Sequence, residues 1–92
     1  MKSFGEYIRR VREEKKLPLR KVAAALDIDT SILSKIERNE RVATKEMISI
    51  LAETLERPEK EIEIEFIQSV VKSNLGDLKY LKDGLKEILK TL

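Results

Sequence analysis

Cysteine, histidine and tryptophan are all absent from the chain. Without cysteine there is no disulfide, no thiol chemistry and no zinc site of the usual kind, and without histidine no triad that uses imidazole as base. Glycine is almost as scarce. Gly5, Gly76 and Gly84 stand alone, so no glycine-rich loop can cradle a phosphate. No apolar run approaches the roughly 20 residues that span a bilayer, and the start, "MKSFGEYIRR", holds none that would serve as a signal peptide. These absences predict a soluble, cytoplasmic protein with no metal, no cofactor and no enzymatic role, because carboxylates and lysines on helices are usually solvated surface. The 92 residues suit one small domain, and with only two Tyr and two Phe its core has to be aliphatic. A chain of this size builds a core without enclosing a deep substrate cavity. Binding is the expected activity.

What is present is charge, unevenly spread. Residues 1–45 hold 12 Lys/Arg against 7 Asp/Glu, whereas residues 46–92 hold 7 against 10. A basic half joined to an acidic half suggests two tasks, with a polyanion as candidate partner for the first.

Helical spacing recurs throughout. Ser3 and Glu6 form a capping box, "SFGE", ahead of Phe4, Ile8 and Val11. Pro18 belongs near the first turn of a second helix that turns Val22, Ala23 and Leu26 inward and stops at Asp27, one of the few residue types besides glycine that tolerate a left-handed backbone. Asp29 is placed to cap a third helix through its side chain, with Leu33 and Ile36 inward, and Thr44 to cap a fourth carrying Met47, Ile48, Leu51, Ala52 and Leu55. After Pro58, "EIEIEF" fits a strand template as well as a helix. The continuation through Ile62, Phe66, Ile67, Val70 and Val71 favours helix. Asp77 is expected to cap a last helix whose Leu78, Leu81, Leu85, Ile88 and Leu92 follow an a/d heptad seam.

The second and third helices are separated by only a few residues, with a small residue at Ala23, a sharp turn at Asp27 and an apolar plug at Ile28. That is the chemistry of a helix-turn-helix, a unit that lays its second helix in the DNA major groove. Through "FGEYIRRVREEKKLPLRKVAAAL", "SILSKIERNER" and "MISILAETLERP", residues 3–66 closely resemble the phage-repressor/Cro-like helix-turn-helix proteins, the XRE family. The resemblance implies an all-α fold, a compact five-helix repressor-like domain, here placed at 1–66, with residues 67–92 as a C-terminal helical extension.

The resemblance also implies roles residue by residue. Thr30, Ser31 and Lys35 stand where the family points at base edges, and hydroxyls and a lysine suit that work. Ile32 has two readings, contact with a thymine methyl or plain packing. Ser34, Arg38, Asn39 and Arg41 stand where relatives touch phosphate, and Arg12 with Glu37 matches an internal salt bridge between the first and third helices. The family's frequent phosphate-anchoring glutamine at the start of the second helix is Leu19 here, which leaves Arg20 or Lys21 to make that contact. The expected partner is double-stranded operator DNA, bound by a homodimer acting as a transcriptional regulator, most simply a repressor. Leu78, Leu81, Leu85 and Ile88 supply either the dimer interface or the last piece of the monomer core. The alternative function is a protein-interaction module, or an antitoxin or restriction–modification controller, whose C-terminal helices bind an unidentified protein.

Overall fold

The computed structural model describes residues 3–92, which form six α-helices and, among the described residues, no strand. They are α1 (Phe4–Glu14), α2 (Leu19–Ala25), α3 (Thr30–Glu37), α4 (Met47–Leu55), α5 (Glu59–Leu75) and α6 (Leu81–Thr91). The all-α expectation holds, and "EIEIEF" lies within α5 as helix.

The core is aliphatic. Ile8, Val11, Val22, Leu33, Leu55 and Ile62 are almost completely buried, drawn from each of the first five helices. Phe4 closes one end, packing edge-on against Phe66 with ring centroids 5.4 Å apart. The boundary expected after residue 66 falls inside α5, which runs unbroken to Leu75 and still touches the domain through Ser69, whose Oγ accepts from the Phe4 N–H (3.2 Å). A second tie joins the same helices. The Tyr7 hydroxyl donates to the Glu61 carboxylate, and burial with that hydrogen bond pushes the phenol well above its ordinary pKa.

Four helices end in the same way. Leu17 N–H returns to the Arg12 carbonyl and Lys16 N–H to that of Glu13 (both 3.0 Å), a Schellman closure with a left-handed residue at its centre. The equivalent centres after α2, α3 and α4 are Asp27, Asn39 and Glu56, and with Lys16 they take φ values of 57, 56, 62 and 54° in chain order. None is glycine. The residue that follows helps to hold two of these turns, because Leu17 and Ile28 pack against the core.

Helix starts differ more from expectation. Ser3 Oγ accepts from the Glu6 N–H (3.1 Å), as a cap should. Asp29 does occupy the N-cap of α3, but its side chain makes no capping bond. Thr44 is not the cap of α4. Its carbonyl accepts from Met47 N–H in a turn that is already helical at Glu46, so α4 starts at Met47. Asp77 does not cap α6 either, because turns through Leu78 and Tyr80 intervene and Tyr80 holds the N-cap. Leu78 therefore precedes the helix that was expected to include it.

α6 stands apart, making at most isolated contacts with the other helices. The molecule is elongated, 41 × 24 × 22 Å, with a radius of gyration of 14.4 Å. A compact chain of this length would have about 12 Å.

One contact decides how α1 meets α3. A Cβ added at Gly5 would lie 1.9 Å from the Ile36 carbonyl oxygen, a backbone atom with no rotamer to give way. Gly5→Ala is expected to destabilise the fold by about 2 kcal/mol or more through this clash. Chemical denaturation measures it, and an unchanged midpoint would mean that α1 and α3 do not approach so closely.

Candidate nucleic-acid interface

α3 is two-faced. Leu33, Ile36 and Glu37 are buried against the other helices, while Thr30, Ser31 and Lys35 are exposed and Ser34 is half-buried. At 3.6 residues per turn Thr30, Ser31, Ser34, Lys35 and Arg38 fall on one side of the helix axis. The short α2 and the turn Leu26–Asp29 hold this side outward, because Val22, Ala23 and Leu26 are buried while Ile28 packs onto the same core. The remaining expected contacts lie around it. Arg38, Asn39 and Arg41 are exposed at the end of α3 and beyond, and Arg20 and Lys21 are exposed in the first turn of α2. Ile32 is half-buried and packed against the core, bordering a shallow depression with Ala24 and Ile28.

Arg12 and Glu37 join α1 to α3 from the inside. Arg12 Nε donates to Glu37 Oε2 (2.7 Å) and Nη2 to Oε1 (3.0 Å), while Nη1 donates to the Leu17 carbonyl (2.9 Å). The two side chains keep only 13% and 5% of their surface. The hydrogen bonds to Glu37 raise the Arg12 pKa above its ordinary value, so the guanidinium keeps its charge inside the domain.

Two positions read differently in three dimensions. Leu19, where many relatives carry glutamine, packs against the core and donates nothing outward from its side chain. Arg9, not singled out in the sequence, lines a cleft with Leu19, Ser34 and Arg38 at the meeting of α1, α2 and α3. Its exposed partner Glu13 at 3.4 Å, like Glu40 at 3.3 Å from Arg38, is a surface contact of little strength and leaves the guanidinium able to turn to a phosphate. The signal was available in "IRRVR", since Arg9 and Arg12 are one helical turn apart.

An exposed polar and basic helix face, carried on a second short helix and braced by a buried ion pair, defines a DNA-binding helix-turn-helix domain. Residues 8–62 match the helix-turn-helix family profile, and the chain belongs to that family, of the XRE, Cro/C1 type. The family binds DNA and is not typically enzymatic. No curated protein and no solved structure matches the chain. Among the described residues no helix is long and apolar enough to cross a membrane.

Arg12→Ala is expected to cost about 3–5 kcal/mol, because it strands the buried Glu37 carboxylate, whereas Arg12→Met combined with Glu37→Leu restores most of the loss. Urea denaturation of the wild type and the two variants separates these outcomes. A double variant as unstable as Arg12→Ala would show that the pair itself, rather than the stranded charge, carries the energy.

Proposed function

We propose that the protein is a homodimeric transcriptional repressor that reads an operator through α3. The observation that supports this most is the division of α3, whose inner side is locked to α1 while Thr30, Ser31 and Lys35 are free on the outer side. In this reading those three side chains meet base edges in the major groove, with Lys35 suited to guanine O6/N7. Ile32 lies at the edge of that contact, where its exposed portion can meet a thymine methyl. Ser34, Arg38, Asn39 and Arg41 follow the phosphates, joined by Arg20 and Lys21 from α2 and by Arg9 from α1.

A single recognition helix makes a small interface, and a two-fold dimer on paired half-sites multiplies it. Leu78, Leu81, Leu85 and Ile88 on and beside α6 supply the dimer contact, since Leu78 and Ile88 are more than half exposed at 54% and 53% and α6 has no packed helix partner in its own chain. The same exposed face favours a second reading, in which α6 binds a different protein and the chain serves as an antitoxin or operon controller. A purified chain that stays monomeric would turn the argument to that reading.

Fluorescence anisotropy with the DNA upstream of the protein's own gene, over several salt concentrations and with scrambled competitor, tests the proposal. The Thr30→Ala/Ser31→Ala/Lys35→Ala variant should lose about 1–3 kcal/mol for each base contact removed, with its melting temperature unchanged and its residual binding indifferent to sequence. Arg9→Gln should instead weaken specific and scrambled binding alike and lower the salt slope by about one. A triple variant that still prefers its site would place sequence reading elsewhere on the protein.

A further inference from the structure

The cleft where α1, α2 and α3 meet has a volume of about 290 Å³ and is lined by Arg9, Arg12, Leu19, Ser34, Glu37 and Arg38. Three of these side chains are positive and one is negative. Arg12 and Glu37 neutralise each other through their two hydrogen bonds, and a third N–H of Arg12 goes to the Leu17 carbonyl. The charge left to the cleft is that of Arg9 and Arg38. Leu19 adds an apolar wall with no side-chain donor, so the side chains that can hold an anion here come from α1 and α3.

The buried pair also fixes where the free groups stand. Arg9 precedes Arg12 by three residues on α1, and Ser34 precedes Glu37 by three on α3, so each is about one turn from a member of the pair. Arg38 follows Ser34 by four residues and shares its side of the helix. Locking Arg12 to Glu37 therefore brings a guanidinium of α1 to the same cleft as a hydroxyl and a guanidinium of α3. Each free guanidinium already holds a carboxylate oxygen, Arg9 that of Glu13 at 3.4 Å and Arg38 that of Glu40 at 3.3 Å. Both carboxylates are more than half exposed, and such pairs are weak, so a phosphate oxygen can take their place.

We propose that this cleft is a single-phosphate site, in which Arg9 of α1 and Ser34 and Arg38 of α3 close on one and the same phosphate of the DNA backbone. The proposal rests on the DNA-binding reading above and adds that these contacts converge, rather than each following a phosphate of its own. Each guanidinium can present two parallel N–H groups to phosphate oxygens, and the Ser34 hydroxyl adds one further donor. A phosphate held in this way ties α1 as well as α3 to the backbone. The angle at which α3 meets the groove is then set by a contact that carries no sequence information.

Methylphosphonate scanning tests the convergence, because putting a methyl group in place of one charged oxygen removes a single phosphate charge at a time. The duplex is one that the wild-type chain enriches from a random-sequence pool. At one linkage in each bound site the substitution should weaken wild-type binding by about tenfold or more. Arg9→Gln and Arg38→Gln should each cut that penalty to about threefold or less at this same linkage, and the double variant should bring it within about twofold. Each penalty compares one variant on two duplexes, so a loss of folded protein cancels. Arg9→Gln and Arg38→Gln relieving the penalty at different linkages, or Arg9→Gln relieving none, overturns the shared site and leaves DNA binding standing. A wild-type chain that enriches no duplex overturns the shared site and the DNA-binding reading together.

Discussion

The buried pair of Arg12 and Glu37 is the interaction on which the rest of the binding face depends. Two charges sharing two hydrogen bonds inside a small aliphatic core are expensive to remove from water, and their mutual attraction and the Leu17 carbonyl offset that cost only in one geometry. The pair adds little net stability over an apolar substitute, but it is intolerant of rotation. Successive residues in a helix are about 100° apart, so turning α3 by one position would bring Ile36 or Leu33 toward solvent and carry Lys35 aside. The approach of α1 at Gly5 acts at the same seam, where the Ile36 carbonyl leaves no room for a Cβ. Between them the two contacts set which residues of α3 face outward, and the chemistry that this face offers to DNA follows from that.

The chain divides its labour along its length. The core belongs to α1–α5, with Ile62 as its last fully buried residue, and beyond Phe66 the apolar side chains are at least partly open to solvent. The basic excess lies in the first half, around the helix-turn-helix, and the acidic excess in residues 46–65, which hold seven Glu against two Lys/Arg. A polyanion is thereby attracted to the helix-turn-helix half of the chain.

Much of this was legible before any coordinates, because its signals are local. The alanine-rich run that stops at Asp27 marks the helix pair, and Asp27 takes the left-handed backbone its chemistry allows. Inward residues such as Val22, Leu33 and Leu51 followed from helical period alone. The misses are tertiary or turn on a close choice of backbone. Thr44 and Asp77 carry oxygens that suit a cap, but the chain makes an extra turn before each helix begins. The left-handed closures at Lys16 and Glu56 gave no warning, since neither is glycine or asparagine. Arg9 lines a cleft with Ser34 and Arg38 only because α1 crosses α3 as it does, and Ile67, in step with the core by spacing, lies on the outer side of α5.

The central claim is that the outer side of α3 sits in the major groove against base edges. Protection of guanine N7 from methylation by dimethyl sulfate tests it most directly, because N7 is open only in that groove. Titrating the protein onto its upstream DNA should protect guanines in two clusters about one helical turn apart, and Lys35→Ala should release one guanine in each cluster. Tight binding that leaves every guanine N7 reactive, or a pattern that Lys35→Ala does not change, would contradict the account.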